Sequence, residues 1–190
     1  RVNVEGWLLE NSEHLPYGER EAHLILSQLR RGDVKLKTTS CGRVLDAISA
    51  ILGVCYERTY EGEPAMKLES AAVNGKDVLM SKPIIRGNFL ETTSLVTSIF
   101  EVKHKFSRRD LAYSAHLYLA RGLAELAVEK AIEEGVKNVG FTGGVAHNQI
   151  ISETMRKIIE SRGLRFLVHE QVPPGDGGIS FGQAIIAAFT

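Results

Sequence analysis

The amino-acid sequence predicts an α/β fold in which helices flank a partly parallel sheet. After residue 136 the apolar pattern and its breaks read strand, helix, strand, helix, an order that implies a crossover between parallel strands. A helical pattern at about 108–134 is the longest in the chain. The third observation is a glycine pair, Gly143 and Gly144, which joins a short strand to an amphipathic helix and is typical of a strand–turn–helix unit.

Composition excludes several classes of partner. The 190 residues, 44% of them hydrophobic, suffice for one domain or for two small lobes that share a cleft. Lys plus Arg and Asp plus Glu each number 23, so no overall positive field favours nucleic acid or an anionic membrane. Two cysteines and no long apolar run fit a reduced, cytoplasmic protein without a membrane span. Because the chain begins with Arg1 rather than Met, we expect it to be part of a longer protein.

The sequence pattern in the first third of the chain predicts one strand and two helices. Residues 2–9 read as a short strand, and residues 17–31 keep helical spacing up to Gly32. Ser40 or the preceding Thr39 can cap a second helix, which ends at Gly53.

Arg43 and Asp46 lie three residues apart near the start of that second helix, and therefore on a common side. One interpretation is a surface ion pair. The other is a ligand clamp, in which Asp46 accepts hydrogen bonds from sugar hydroxyls and Arg43 donates to an anion or a carbonyl. Spacing alone leaves both open.

The middle of the chain predicts a turn, a strand and three helices. Gly62 ends a turn, and Pro64 begins a helix beside Glu63, whose charge is favourable at a helix start with or without a ligand. Residues 78–85 read as a strand, and a helix follows at about 94–105.

The longest helix has a capping box formed by Ser107 and Asp110 and a stop at Gly135. His116 adjoins its apolar stripe, and we interpret it as a core or interface histidine. The predicted stripe consists of Leu111, Ala115, Leu119, Gly122, Leu123 and Leu126.

The Gly143-Gly144 turn is a candidate anion site. A strand, a glycine turn and a helix aim backbone N–H groups and the positive end of a helix dipole at one point, which suits a phosphate. The sequence is neither a Walker loop nor a G-x-G-x-x-G fingerprint. A tight turn without any ligand is the alternative.

A second glycine-rich loop, 172–178, follows a predicted strand at 164–169 and leads into a final helix at 179–189. Asp176 stands among its glycines. An exposed carboxylate there suits a metal ion or a sugar hydroxyl. A helix cap is the other interpretation, since Asp is favoured at that position.

Four motifs taken together resemble the C-terminal part of the HypF carbamoyltransferases, which mature nickel–iron hydrogenases. They are SCGRVLDA at 40–47, YEGEPAMKLE at 60–69, TGGVAHN at 142–148 and VPPGDGGISFGQA at 172–184. The resemblance covers about 30–190. It implies an actin/hexokinase/Hsp70-like (ribonuclease-H-like) fold, in which two related lobes enclose a nucleotide. Residues 1–190 would then form a single lobe with its closing helix.

The resemblance also implies a reaction. HypF proteins make carbamoyl-adenylate from carbamoyl phosphate and ATP, and pass the carbamoyl group to the C-terminal cysteine of a partner protein, HypE. ATP or carbamoyl-adenylate and a divalent metal ion, either Mg, Zn or Fe, are therefore expected. Nucleic acid is not an expected partner.

Site residues follow from the same resemblance. Asp46 matches a position that binds ribose hydroxyls, and Gly143, Gly144 and Asn148 match the loop that holds the nucleotide. Asp176 matches an acidic metal ligand. Two further assignments depart from a direct match. Glu63 aligns near a ribose-contacting position that is glycine in the tRNA-modifying relatives, and we infer a catalytic contact of Arg43 with the carbamoyl group from its charge and placement. The six histidines include no pair one helical turn apart, which the family's metal site requires.

Two alternatives remain open. A relative of the same fold transfers threonylcarbamoyl to tRNA, although the Glu-Gly-Glu-Pro-Ala and Pro-Gly-Asp-Gly-Gly forms here differ from those usual in such enzymes. The other is a non-catalytic lobe that only docks a partner protein.

Overall fold

The computed structural model describes residues 3–32 and 38–189 of the chain. Helices dominate this part of the protein, and the strands are short. The helices are α1 Val4–Glu10, α2 Gly18–Arg31, α3 Cys41–Ile51, α4 Glu63–Ala72, α5 Thr93–Val102, α6 Arg108–Glu133, α7 Gln149–Ser161 and α8 Ile179–Phe189. The strands are β1 Ile84–Arg86, β2 Phe89–Glu91, β3 Asn138–Gly140 and β4 Arg165–Leu167. None of the described helices is both long and apolar enough to cross a membrane.

The predicted strand at 2–9 is wrong over its described residues, which begin at position 3. This segment is helix α1, and the Asn3 side chain caps it by accepting a hydrogen bond of 2.9 Å from the Gly6 N–H. Trp7 packs edge-on against Phe100, with ring centroids 5.8 Å apart. A side-chain cap and a distant aromatic partner therefore override the weak strand signal of the sequence.

Helix α6 is the centre of the hydrophobic core. It packs against α3, α4, α5 and α7, so it is buried on several faces rather than along one stripe. Within the predicted stripe, Leu123 is only partly buried, while Tyr118 on another face is buried. Gly122 allows close packing, since a Cβ there would collide with Leu90. The buried members of the predicted stripe are Leu111, Ala115, Leu119 and Gly122.

The predicted crossover between parallel strands is confirmed. Strands β3 and β4 pair in parallel, with Val139 opposite Phe166, and α7 connects them. Strands β1 and β2 form a separate antiparallel hairpin. The predicted strand at 78–85 is wrong over most of its length, because the Ser114 hydroxyl accepts hydrogen bonds from the Val78 and Leu79 N–H groups and holds this segment as irregular chain.

Most helix boundaries match the sequence signals. Ser40 caps α3 and Ser107 caps α6 through their hydroxyl groups. The residue after α2, Gly32, is left-handed with a φ of 69°. Helix α4 starts one residue earlier than predicted, so Pro64 takes its second position and the left-handed Gly62 precedes it.

Helix α8 packs against the turn that precedes it, and the large apolar side chains on it are exposed. The predicted range of the helix is confirmed. Its sequence is apolar around most of its circumference, and such helices are usually covered by other protein. The exposed apolar side chains include Ile179, Phe181, Ile185 and Phe189.

Candidate functional site

The two glycine-rich loops of the sequence lie against each other. The Gly143 N–H donates to the Pro174 carbonyl at 2.7 Å. The Thr142 hydroxyl donates to the same carbonyl at 3.1 Å and lies 2.9 Å from His169 Nε2. Because a hydroxyl carries one proton, and Thr142 gives it to Pro174, His169 must donate its own Nε2 proton to Thr142. This hydrogen-bonded group, which we call the Thr142 latch, joins the loops after β3 and β4.

The glycine pair leaves two backbone donors open. Gly143 has a φ of 91°, which only glycine adopts without strain. A Cβ on Gly144 would meet no atom within 4 Å, whereas one on Gly175 would lie 3.7 Å from the Gly144 Cα. Among the described residues, the N–H groups of Gly144 and Val145 have no acceptor. These two donors belong to the first two residues of the 3-10 turn Gly144–His147, and both are free to donate to a ligand.

The start of α7 is not the open anion site that the sequence pattern predicts. Glu69 Oε1 accepts hydrogen bonds from the Gln149 N–H at 2.6 Å and from the Ile150 N–H at 3.4 Å. The Ile151 N–H donates to Asn148 Oδ1 at 3.0 Å. The N–H of Asn148 itself donates to a carbonyl of the preceding turn. All four orphan donors of the helix start therefore already have protein acceptors.

The side chain of Asn148 caps the N-terminus of α7. Its exposed fraction is 6%, and its side-chain oxygen is committed to α7. Only the amide nitrogen of the side chain remains to donate to a ligand. The predicted role of Asn148 in nucleotide binding is therefore restricted to that nitrogen.

Arg43 and Asp46 form the ion pair that their spacing allows. Arg43 Nη1 lies 3.8 Å from Asp46 Oδ2, and the two side chains are 59% and 24% exposed. Burial raises the pKa of Asp46, while the Arg43 and Arg58 guanidinium groups oppose this shift. Because the two charged atoms are far apart and the Arg43 side chain is more than half exposed, this ion pair contributes little to stability. Arg43 and Asp46 can therefore separate at little cost, and each can then bind a ligand instead.

Helix α3, which carries Asp46, begins against the glycine turn. A Cβ on Gly42 would lie 3.8 Å from Val145 Cγ2. The structure thus brings the start of the helix that carries Arg43 and Asp46 against Val145, the residue after the glycine pair.

Both oxygens of the Glu63 carboxylate already have partners within the protein. Oε2 accepts from the backbone N–H of Thr59 and, at 2.9 Å, from its hydroxyl, and Oε1 lies 2.7 Å from Lys67 Nζ. The hydrogen bond from Lys67 is the largest cause that lowers the pKa of Glu63 to about 2, followed by the bonds from Thr59. Glu63 therefore holds the 59–63 turn closed, and a sugar hydroxyl would have to compete for an oxygen with these partners.

Asp176 presents an exposed carboxylate. The turn at Asp176–Gly178 begins after Gly175, and the Asp176 side chain makes no hydrogen bond to any residue in the described ranges. The helix-cap interpretation is therefore wrong, and the carboxylate is open to a ligand. No group of three or more His, Cys, Asp or Glu side chains within 3–32 and 38–189 has the arrangement of a metal site. The residues around Asp176 therefore do not make a complete site for a metal ion.

Cys41, at the start of α3, is an inert thiol. Burial raises its pKa to about 11, which keeps it protonated at neutral pH. The position of this cysteine at a helix start does not make it a nucleophile.

Sequence reasoning missed the residues that hold the site together. Glu69 lies eighty positions before Gln149, and nothing in the local pattern of α4 signals its contact with α7. The Thr142 latch spans 27 and 32 residues and is equally hidden. Arg58 was not expected either, although it affects the pKa of Asp46.

Comparison with known proteins identifies the family. Residues 3–183 match the family described as carbamoyltransferase, Kae1-like domain, second subdomain. The chain belongs to the HypF carbamoyltransferase family. A probable HypF carbamoyltransferase of Methanocaldococcus jannaschii is 41% identical over 170 residues, which are 89% of this chain and 22% of that protein. HypF of Rhodobacter capsulatus is 34% identical and is covered over 20% of its length.

Solved HypF structures share the fold. The crystal structure of HypF from T. kodakarensis superimposes with a TM-score of 0.84 at 45% identity, over 96% of this chain and 24% of that one. A full-length HypF in a phosphate- and nucleotide-bound form gives a TM-score of 0.77 at 27% identity, over 95% and 24% of the two chains. These relatives confirm the predicted actin/hexokinase-like α/β fold.

The Kae1-like fold also links the chain to tRNA-modifying enzymes. A tRNA N6-adenosine threonylcarbamoyltransferase of Methanothrix thermoacetophila is 26% identical over 154 residues, which are 79% of this chain and 46% of that enzyme. The chain spans about a fifth to a quarter of the length of the HypF proteins it matches.

Proposed function

We propose that this chain forms one wall of the cleft in which HypF binds carbamoyl-adenylate and transfers its carbamoyl group. The observation that carries the proposal is the pair of open N–H groups on Gly144 and Val145, next to the helix that bears Asp46. Two backbone donors without an acceptor suit one phosphate, and a nearby carboxylate suits the ribose of the same nucleotide. A relative of the same fold binds phosphate and nucleotide.

Each site residue has a role in this proposal. Asp46 accepts from the ribose hydroxyls, and the Gly143-Gly144 turn lets the phosphate approach the backbone. The Asn148 amide nitrogen donates to the same nucleotide. Glu63 acts mainly by holding the 59–63 turn beside Asp46, with a direct ribose contact as its predicted second role.

Arg43 is the proposed catalytic residue. Its guanidinium is more than half exposed and pairs with Asp46 at only 3.8 Å. When ribose hydroxyls engage Asp46, the guanidinium becomes available to the carbamoyl oxygen, where negative charge develops during transfer.

The acceptor in this proposal is the C-terminal cysteine of HypE. Its thiolate attacks the carbamoyl carbon of carbamoyl-adenylate, a carbon–sulfur bond forms, and the carbon–oxygen bond to AMP breaks. The thiol proton passes to solvent, and AMP leaves with the electron pair of the broken bond. Maturation of hydrogenases by this route takes place in the cytoplasm, where thiols stay reduced.

The proposal also includes a divalent metal ion, for which Asp176 supplies one ligand. Asp176 offers one carboxylate, which suits Mg, Zn or Fe. The described residues do not complete a site for it, so further ligands have to come from elsewhere in the assembled protein.

We propose further that residues 1–190 form a single lobe, and that α8 closes it against a second lobe. The exposed apolar side chains of this helix carry the proposal, because a helix that is apolar around most of its circumference is normally covered.

Nucleotide titration tests the proposed function. We expect calorimetry to detect an adenosine nucleotide bound to the chain when the other lobe of a HypF relative is supplied. Asp46→Ala should raise Kd by about ten- to a hundredfold, because hydrogen bonds to charged groups contribute about 1.5–3 kcal/mol and about 1.4 kcal/mol is a factor of ten. Glu133→Ala, on the exposed end of α6, is the control and should leave Kd unchanged. Absence of any nucleotide binding to the combined lobes would overturn the proposal.

A second candidate is threonylcarbamoyl transfer to tRNA, which the Methanothrix relative favours. The equal numbers of acidic and basic residues offer no general attraction to nucleic acid. Specific tRNA binding in a filter assay at physiological salt would support this candidate, and its absence would leave HypE as the acceptor. A lobe that only docks HypE would bind that protein normally after Asp46 and Asp176 are both replaced by Ala.

A further inference from the structure

We propose that Glu69 is a positioning residue for the nucleotide. It acts from α4 through the first turn of α7 and sets the geometry of the glycine turn. The inference rests on the proposed function, because it concerns how the same site is held. Glu69 itself does not have to touch the ligand.

The contact that carries the inference is long-range and well formed. Glu69 Oε1 lies 2.6 Å from the Gln149 nitrogen and 3.4 Å from the Ile150 nitrogen, so one oxygen serves two consecutive N–H groups. Glu69 is partly buried. A carboxylate at a helix start also gains from the helix dipole. This arrangement joins α4 to α7 at a defined register.

That register passes to the glycine turn through a short series of hydrogen bonds. The Asn148 N–H donates to the Val145 carbonyl at 2.9 Å, and the Ala146 N–H donates to the Gly143 carbonyl at 3.0 Å. The Ser152 hydroxyl, one turn into α7, donates to the Ala146 carbonyl at 3.0 Å. A displacement of the first turn of α7 therefore moves the turn that carries the Gly144 and Val145 donors.

Loss of Glu69 would leave the Gln149 and Ile150 N–H groups without protein acceptors. Frayed helix starts are held by water instead, and their positions become less defined. A displacement of about 1 Å of the groups in a site can lower a reaction rate by about a hundredfold. In this inference Glu69 acts mainly by supplying the acceptor oxygen, and its negative charge adds a smaller contribution through the helix dipole.

Two substitutions at position 69 separate these properties. Glu69→Gln keeps an acceptor oxygen at the same reach and removes the charge, so we expect nucleotide Kd and KM within about twofold of the original protein, since most of the geometry survives. Glu69→Ala removes the acceptor, and we expect Kd and KM to rise about tenfold with a smaller change in kcat, because binding geometry is lost.

Glu153→Ala is the matched control. Glu153 accepts from the side-chain nitrogen of the same Gln149 at 2.7 Å but does not touch the backbone of the helix start. We expect its nucleotide Kd to equal that of the original protein. The measurements use the combined lobes, with hydrogen exchange at the Gln149 and Ile150 amides recorded for each variant. We expect faster exchange at both amides in Glu69→Ala and no change in Glu69→Gln.

The results distinguish the two proposals. If the original protein binds nucleotide and Asp46→Ala weakens binding, but Glu69→Ala does not, the positioning role is wrong and the proposed function stands. Tighter binding by Glu69→Ala would also overturn it, because the carboxylate would then be competing with the ligand phosphate. If Glu69→Ala does not fold, Glu69→Asp takes its place, because its shorter side chain withdraws the oxygen from the Gln149 and Ile150 N–H groups. A rise in Kd together with faster exchange at the two amides supports the role, and an unchanged Kd with faster exchange contradicts it. Failure of every form to bind nucleotide overturns the proposed function itself.

Discussion

Lys67 Nζ lies 2.7 Å from Glu63 Oε1, one turn away on α4. The other oxygen of the same carboxylate accepts two hydrogen bonds from Thr59. Glu63 thereby ties the start of α4 to the turn before it. This places the turn that carries Arg58 and Glu61 beside Asp46, whose pKa both groups affect.

The free energy of unfolding should depend on pH through the Glu63 carboxylate. The pKa of Glu63 is lowered from 4.5 to about 2 in the folded protein. Its stabilising contribution is therefore complete above about pH 4.5, and is lost as the pH falls toward 2. We expect Glu63→Gln to lower the urea midpoint at pH 7 and to reduce its decline between pH 4.5 and 2.5. The exposed neighbour Glu61→Gln is the control, and an equal effect of both variants would contradict this prediction.

His116 should also make the free energy of unfolding depend on pH, in a higher pH range than Glu63 does. It is fully buried in α6, where its Nδ1 lies 2.7 Å from the Ala112 carbonyl and its Nε2 has no partner among the described residues. Burial lowers its pKa, so the folded protein holds it neutral. The unfolded chain binds the proton more tightly, and stability should therefore fall as the pH drops below about 6.5.

The measurement for His116 is the free energy of unfolding from pH 7.5 to 5. The slope due to one such histidine is at most about 1.4 kcal/mol per pH unit. We expect His116→Leu to flatten this part of the curve, whereas the exposed His23→Ala should keep it. A curve that is unchanged in His116→Leu would show that other groups cause the decline.

The two glycines of the turn should respond differently to a methyl group. Gly143→Ala forces a left-handed residue at a φ of 91° and should cost about 1–2 kcal/mol in the free energy of unfolding. Gly144→Ala meets no atom within 4 Å, so stability should be unchanged while nucleotide Kd rises, because the methyl group occupies the approach to the open N–H groups. Chemical denaturation and calorimetry on both variants check this. Unchanged nucleotide Kd in Gly144→Ala would place the ligand away from the turn.

The Thr142 latch should matter through its hydroxyl. Thr142→Val keeps the side-chain shape and removes the hydrogen bonds to His169 and Pro174. We expect a loss of about 1 kcal/mol in the free energy of unfolding and a several-fold rise in nucleotide Kd, since one net hydrogen bond is worth about that much. Thr142→Ser is the control and should preserve both quantities. Equal behaviour of the Val and Ser variants would show that the latch does not hold the loops.

Local chemistry explains where prediction from the sequence succeeded. Helix starts at Ser40 and Ser107 and the stops at Gly32 and Gly135 depend on residues within one turn of each other. The crossover after residue 136 follows from a strand–helix–strand order, which leaves few alternatives.

The errors came from contacts with distant parts of the chain. Helix α1 forms where the pattern favours a strand, and it is held by Phe100 more than ninety residues away. The segment at 78–83 is irregular because the Ser114 hydroxyl accepts hydrogen bonds from the N–H groups of Val78 and Leu79. The sequence pattern carries no record of these partners.

The sequence by itself determined the family, the α/β order and the position of the Gly143-Gly144 turn, because motifs and helix caps are local in the chain. Only the tertiary structure decided which N–H groups near that turn are open. Glu69 and Asn148 fill the start of α7, and the donors that remain are those of Gly144 and Val145. A hydrogen-bond donor binds a ligand only when no protein acceptor reaches it first, and that acceptor comes from a helix eighty residues earlier.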